Sequence, residues 1–481
     1  MRQCLKFYVD GAWRDPADGT ARQEVINPAT GQTSGVVALG GEEDARGAIE
    51  AAHRAFESWS QTPLSQRIEL LGTICGIYER RLDDVADAIT EEMGAPLHAL
   101  SKPVQARIGL WHFQTALKVA QAFPFETARG TTRIVREPIG VCTLITPWNW
   151  PMNQIACKVA PALATGCTMV LKPSEFAPYS AWIFAEILHE AGVPAGVFNM
   201  IYGDGAKVGP VLASHPLVDM VSLTGSTRAG ASVSHAAADG IKRVSLELGG
   251  KSANIVCESA DLAKAVVHGV KSMMSNTGQS CNAPSRLYVP ASRLEEAEAL
   301  AVQTCAAMAV GDPRAPQTTV GPIANRRQFE RVRQLIQTGI DEGAKLLCGG
   351  LDRPAGAEDG GFFVKPTVFS RVEDHMTIAR EEIFGPVLVI RPYTDLEEAI
   401  RSANDSPYGL SGYVSAGTPD EARAVAKRLR TGMVHLNGAS GDMAAPFGGY
   451  KQSGLGREWG AAGFEEFLET KALMGSEPAT A

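Results

Sequence analysis

Much is missing from this chain of 481 residues, and each absence narrows what it can be. No stretch approaches the ~20 uninterrupted apolar residues of a membrane-spanning helix, so no membrane partner is expected. The N-terminus, Met1 to Asp10, has no apolar run ahead of a small-residue cleavage site and reads as carrying no secretory signal. No block rich in Lys and Arg supplies a stripe for phosphates, and the formal charge of -8 argues further against nucleic acid as a primary partner. The cysteines, Cys4, Cys75, Cys142, Cys157, Cys167, Cys257, Cys281, Cys305 and Cys348, are scattered without a CxxC pair. There is no histidine cluster at zinc spacing either, so no metal is expected, and reduced thiols in a cytoplasm fit this usage. No internal repeat or low-complexity tract appears; only Gly475 to Ala481 has the composition of a disordered end.

What is present describes a globular protein. Hydrophobic residues make up 45% and charged residues 20%, and the length exceeds one ordinary core, which suggests about three domains. Glu42 to Trp59 and Ser65 to Met93 carry apolar residues at helical spacing, with Ile68, Leu71, Ile74, Ile77 and Tyr78 as one stripe. From Gly140 the texture changes to short apolar runs at Val141 to Ile145, Thr168 to Leu171, Val197 to Ile201 and Met220 to Leu223. Each is bounded by Pro or Gly and most precede a helical pattern, the alternation of a doubly wound parallel sheet. A second alternating block follows Lys251, with Ala253 to Val256, Arg286 to Val289, Val387 to Ile390 and Gly412 to Val414. Two α/β units joined around Leu248-Gly-Gly-Lys251 imply a cleft between them, where ligands usually bind. Glu126 to Val141, turning at Arg129-Gly130, reads as a β-hairpin inserted into the first unit.

One pair of segments carries chemistry. Cys281 closes the run Asn276-Thr-Gly-Gln-Ser-Cys281, and Glu247 heads Glu247-Leu-Gly-Gly-Lys251. A thiol and a separate carboxylate are what is needed to form a covalent acyl intermediate and then hydrolyse it. A single cysteine is more often a small buried apolar residue, so the pair needs company. It has it in Thr146-Pro-Trp-Asn149-Trp150-Pro151, Lys172-Pro-Ser-Glu175, Leu223-Thr-Gly225-Ser226-Thr, Glu381-Glu382-Ile-Phe384-Gly385-Pro386 and Pro446-Phe447-Gly-Gly-Tyr-Lys-Gln-Ser-Gly-Leu-Gly-Arg-Glu458.

With these motifs in this order, the chain resembles the aldehyde dehydrogenase superfamily from Asn27-Pro-Ala-Thr-Gly31 to Glu469-Thr-Lys471. The resemblance implies an α/β, aldehyde dehydrogenase-like fold. Its parts would be a Rossmann-type coenzyme domain (residues 1–124 and 143–248), an α/β catalytic domain with the nucleophile (249–445), a return segment (446–465) and a small β oligomerisation element (125–142 and 466–481). A homodimer or homotetramer is implied. So is oxidation of an aldehyde to a carboxylic acid, with Cys281 as nucleophile, Asn149 and the Cys281 N–H meeting the oxyanion, Glu247 as base for the hydrolytic water, and Lys158 and Glu458 as a proton relay.

For the coenzyme, Gly203-Asp-Gly205-Ala-Lys-Val-Gly209 looks like a dinucleotide turn but has GxGxxxG spacing. The resemblance places a phosphate instead at Gly225 and Ser226, where unpaired N–H groups and the helix dipole favour an anion. It adds Ile145, Thr146, Pro147, Trp148, Ser174, Gly205, Leu248 and Gly249 to the coenzyme site, with Glu382 on the nicotinamide ribose and Phe384 beside the ring. Lys172-Pro-Ser-Glu175 is expected to begin a helix after the run Thr168 to Leu171, and by the resemblance Lys172 and Glu175 would take the adenosine ribose. A carboxylate at Glu175 accepts from a free 2′-hydroxyl and repels a 2′-phosphate, favouring NAD, with NADP as the alternative.

The substrate pocket is expected from Trp150, Asn153, Gln154, Cys157, Ser280, Asn282 and Phe447. Cys157 stands where succinate-semialdehyde enzymes usually have arginine, and Phe447 where betaine-aldehyde enzymes often have tryptophan. A non-acidic medium-chain or aromatic aldehyde is therefore expected. Glu247 argues against transfer of the acyl group to coenzyme A. Three rival readings remain: a semialdehyde-specific dehydrogenase, a thiol esterase using Cys281 without coenzyme, and a binding protein that has lost the chemistry.

Overall fold

The structure, a computed structural model, describes residues 1–17 and 21–476. Residues 477–481, most of the tail expected to be disordered, lie outside the described residues. The four short apolar runs of the first unit, together with Arg243–Glu247, which was not among them, form adjacent parallel strands in the spatial order Arg243–Glu247, Met220–Thr224, Val141–Ile145, Thr168–Lys172 and Phe198–Met200. Four of them are buried along their whole length, as strands sheltered on both faces must be. Gly454–Leu455 and the hairpin Phe7–Val9/Ala12–Arg14 extend the two edges to eight strands. The chain winds outward from Val141–Ile145 in one direction, then crosses back to Met220–Thr224 on its other side. Ligands of open α/β sheets bind at such a reversal, in the crevice beyond the strands' carboxyl ends.

The second sheet runs Lys345–Cys348, Thr367–Ser370, Val387–Tyr393, Arg286–Pro290, Ala253–Val256, Ser411–Ser415, Met433–Leu436, parallel except for the first strand. Strand Arg243–Glu247 of the first sheet ends six residues before Ala253 of the second. The short link turns the carboxyl edge of one sheet toward the amino edge of the other. Segments leaving the first sheet after Ile145, Thr224 and Glu247 therefore meet segments entering the second before Arg286 and Val387.

The expected hairpin is Glu126–Arg129 with Thr132–Pro138, turning at Gly130 (φ +61), and Leu468–Leu473 pairs with its second strand. This small sheet is at most half-buried except at Leu468. Among the described residues no helix is long and apolar enough to cross a membrane.

Two helical expectations are corrected. Ser65 to Met93 is two helices, Leu64–Arg80 and Leu82–Met93, broken at Arg81, whose guanidinium bonds Asp84 at 2.6 Å and Glu186 at 3.0 Å. Lys172-Pro-Ser-Glu175 does not begin a helix; Pro178–Glu190 does. Its start is fixed by the buried Glu92 carboxylate, which accepts from the Tyr179 N–H at 2.5 Å, the Ser180 N–H at 3.3 Å and the Ser180 hydroxyl at 2.5 Å.

Burial raises Glu92 to about 8, so at neutral pH the folded chain holds a proton that the unfolded chain has released. Stability therefore falls as pH rises toward that value. Glu92→Ala, leaving those donors unpaired, is expected to lower unfolding stability by about 3 kcal/mol, and Glu92→Gln by much less, with loss of that pH slope. Urea denaturation across pH 5 to 9 checks both.

Candidate active site

The segment ahead of Cys281 is held in a conformation that ordinary residues avoid. Asn276 (φ 52, ψ 30) and Thr277 (φ 56, ψ 34) are left-handed, followed by Gly278 at φ +70. For a β-branched threonine this is strained, and such strain persists only where surroundings impose it. Here they do. The Thr277 hydroxyl donates to the Gly321 carbonyl at 3.1 Å, and Asn276 is gripped on both sides, accepting from Gln105 at 2.9 Å and donating to the Asn149 carbonyl at 2.8 Å. Gln105 closes a π-helical turn, Leu97–Gln105, of the kind that often marks functional sites.

This network brings Asn149 and Cys281 together. The Asn149 side-chain amide donates to the Gln279 carbonyl at 3.0 Å, leaving its second N–H free, and the Cys281 backbone N–H donates to no protein group. Cys281 is half-buried, and burial followed by the charges of Glu247, Glu382 and Glu458 pushes its thiol up. Trp150 donates through its indole N–H to the Ser280 hydroxyl at 2.8 Å, and Asn282 offers its carbonyl to the Tyr413 hydroxyl at 2.9 Å.

Cys281, Asn149, Gln154 and Glu247 share a cavity of about 260 Å³ at the reversal of the first sheet. Glu247 is buried and neither carboxylate oxygen has a hydrogen-bond partner. Burial and the charge of Glu458 hold it well above the usual carboxylate range. Behind it Lys158 and Glu458, which by themselves read as solvated surface charges, form a buried ion pair. Lys158 also donates to the Ser222 hydroxyl at 2.9 Å, and Glu458 accepts from the Cys157 thiol at 3.3 Å. Burial pulls the Lys158 ammonium down, but Glu458 more than reverses this and leaves it raised.

Pro147, Trp148, Gly225, Ser226, Leu248 and Gly249 line the same cavity with Glu382 and Phe384. Ser226 caps helix Thr227–Ala238, its hydroxyl accepting from the Ala229 N–H at 3.3 Å, so the helix start opens into the cavity. Glu382 accepts from the Gly250 N–H at 3.0 Å, and burial raises it to about 7. A Cβ on Gly249 would lie 2.2 Å from the Glu382 carboxylate, so the glycine lets that carboxylate come up against the backbone. Phe384, at φ +57, stands edge-on to Trp148 at 5.6 Å. The Thr146 hydroxyl, just past Ile145, is buried without a partner.

Lys172 and Glu175 pair at 2.9 Å beside the buried Ser174, outside this cavity. Gly205 also lies outside it, opening helix Gly205–Ser214 behind the Asp204 cap. Gln328 and Arg331 line the cavity without having been singled out from the sequence. They sit on helix Arg326–Asp341, and Gln328 donates to the carbonyls of Ile383 and Phe384 at 2.9 Å; the only sequence signal was the Asn325 cap.

Beyond the thiol, Phe447 pairs with Glu458 in an isolated antiparallel bridge and its ring packs on Trp459 at 4.5 Å. Asn153 is bonded to the buried His112 at 2.8 Å. Trp459 and His112 were not foreseen, and nothing in their local sequence marks them.

A thiol, two N–H donors, an unpartnered carboxylate and a helix start thus line one crevice. Comparison with known proteins gives the family. The profile of the aldehyde dehydrogenase family matches residues 13–473, and the chain belongs to that family, whose members are oxidoreductases acting on aldehydes. It is 61% identical to the 3-succinoylsemialdehyde-pyridine dehydrogenase of a Pseudomonas species, over 99% of this chain and 100% of the relative. Among solved structures, a cysteine-to-alanine variant of aldehyde dehydrogenase C from Pseudomonas syringae, complexed with NAD+ and octanal, superposes with a TM-score of 0.97 at 50% identity, covering 99% of this chain and 98% of that one. The Mycobacterium tuberculosis aldehyde dehydrogenase complexed with NAD+ gives 0.95 at 38% identity, covering 100% and 99%.

The buried Lys158–Glu458 pair generates a prediction. Lys158→Met strands a buried carboxylate and is expected to lower stability by about 4 kcal/mol, while Lys158→Met with Glu458→Leu costs less than the sum of the single changes. A double-mutant cycle in urea measures the difference.

Proposed function

We propose that the chain oxidises an uncharged aldehyde to its carboxylic acid with NAD+ through a covalent adduct on Cys281. The observation that carries this reading is that Cys281, the Asn149 amide and the unpartnered Glu247 carboxylate share one cavity with the Ser226 helix start.

The Cys281 thiol, which burial keeps protonated, gives its proton to Glu247, which passes it to the Lys158–Glu458 pair, as the sulfur adds to the aldehyde carbon, and the charge gathering on oxygen is met by the second Asn149 N–H and the Cys281 backbone N–H. Bound NAD+ supplies the hydride acceptor. The adduct then becomes a thioester on Cys281. Glu247, raised by burial, takes a proton from water as that water attacks the thioester, releasing the acid and the thiol. Lys158 and Glu458 exchange that proton behind it, within reach of the Ser222 hydroxyl.

NAD+ is supported by the solved relatives that hold it and by the fit of this chain's groups. Phosphate suits the Ser226 helix start, a ribose hydroxyl suits Glu382 over Gly249, and Trp148 with Phe384 flanks the ring. Glu175 beside Lys172 favours a ribose without a 2′-phosphate.

A substrate without charge is supported by Cys157, a thiol against Glu458 where an arginine would clamp a carboxylate. The names of the relatives point the same way: octanal is a medium-chain aldehyde, and 3-succinoylsemialdehyde-pyridine denotes a semialdehyde attached to a pyridine ring. The exposed strand Leu468–Leu473 on the Glu126–Pro138 hairpin is the surface we assign to self-association as a homodimer or homotetramer.

Cys281→Ala is expected to abolish NAD+ reduction. Glu247→Gln is expected to retain a stoichiometric burst of NADH while steady turnover falls ~100-fold or more. Stopped-flow absorbance separates the two, and an unchanged steady state in Glu247→Gln excludes it as the base. A second expectation concerns pH. A ribose hydroxyl donates best to an ionised Glu382, so NAD+ affinity should rise several-fold as pH passes upward through about 7, and Glu382→Gln should flatten that rise in titration calorimetry.

A further inference from the structure

We propose that Asn153 and Trp459 form a hydrogen-bond-donating wall that selects aldehydes carrying an uncharged acceptor, such as a keto oxygen or a ring nitrogen, in the tail beyond the aldehyde group. The proposal rests on the aldehyde-oxidising reading above and narrows its substrate class.

Helix Pro151–Thr165 begins at Trp150, whose indole bonds the Ser280 hydroxyl beside the thiol. Asn153 and Cys157, four residues apart, share one face of this helix, and Cys157 touches Glu458 at 3.3 Å. Asn153 is joined to the Phe447–Glu458 bridge through His112 and Trp459, which pack in series.

Its orientation is fixed by His112. The imidazole is 4% exposed and Asn153 8%, and Nε2 of one lies 2.8 Å from Oδ1 of the other. A carbonyl oxygen can only accept, so Nε2 carries the proton. Burial pushes His112 down to about 4, so it is neutral and stays a fixed donor across the working range. The amide oxygen is therefore occupied, and the Asn153 NH2 turns away from His112 and donates to nothing in the protein.

Trp459 supplies the second donor. It is held at φ +67, its ring packs on Phe447 at 4.5 Å and meets His112 edge-on at 5.5 Å. Its indole N–H is buried without an acceptor. The buried indole N–H of Trp459 has no acceptor, and the Asn153 NH2 has none among the described residues, so beside Phe447 and His112 both are left for a substrate acceptor. The wall adds no cation, because Lys158 is already committed to Glu458. A carboxylate tail would be desolvated there beside Glu458 without compensation, whereas a neutral acceptor is matched.

The test compares benzoylpropanal with phenylbutanal, which has a methylene in place of the ketone, by NADH formation. The unaltered enzyme, Asn153→Leu and Trp459→Phe are measured in parallel. The unaltered enzyme is expected to favour the keto aldehyde ~10-fold in kcat/KM, the size of one matched hydrogen bond. Asn153→Leu should bring that ratio near unity, and Trp459→Phe should reduce it in the same direction. Ratios unchanged in both variants overturn the proposal. Should Asn153→Leu lose both activities through misfolding, the Trp459→Phe ratio decides. No NADH from either aldehyde with the unaltered enzyme overturns the oxidation reading itself, and this one with it.

Discussion

The close approach of two sheet edges is the constraint on which the site depends, and it is possible only because two positions lack side chains. A Cβ on Gly250 would lie 2.4 Å from the Cys281 carbonyl, and one on Gly278 2.1 Å from the Gly385 carbonyl. With those contacts made, the segment leaving strand Arg243–Glu247 lies directly against both the nucleophile segment and the Glu382 turn. The carboxylate of Glu247, the thiol of Cys281 and the acceptor of Glu382 then occupy one crevice without any long side chain spanning a gap.

Closing the edges also removes water from charged groups, and the crevice is tuned by that removal. Glu247 is left with no partner and rises because its charged form is poorly solvated. Glu382 is held near 7 with one backbone donor. Lys251, next along the link, is lowered to about 7 by burial and by Arg286. Lys158 keeps its charge only because Glu458 is against it. One burial event thus yields two carboxylates raised above their ordinary range and a fixed ion pair. The outcomes differ according to the neighbour each group has.

Rigidity is distributed in the same way. The left-handed Asn276 and Thr277 are held by Gln105, Asn149 and Gly321, contributed by three separate parts of the chain, so the nucleophile segment is set by the whole fold. On the far side, His112 holds the Asn153 amide in one orientation, and the rings of Phe447 and Trp459 pack on each other.

Local sequence was sufficient for elements whose reason is local. The apolar runs at Val141 to Ile145, Thr168 to Leu171, Met220 to Leu223 and Ala253 to Val256 became strands because a run buried on both faces can do little else, and helix Glu42–Trp59 followed its own periodicity. The motifs around Asn149, Glu247, Cys281 and Glu382 were legible because glycine turns and their polar neighbours are contiguous. The break at Arg81, the helix start at Pro178, the burial of Lys158 with Glu458 and the presence of Gln328, His112 and Trp459 at the site were not. Each depends on a partner far along the chain: Glu186 for Arg81, Glu92 for the first turn at Tyr179, and Asn153 for His112. The sequence by itself determined which residues can react; the packing of two sheets edge to edge decided which of them lose water, which stay charged and which face the same cavity, because those depend on distances that no local pattern encodes.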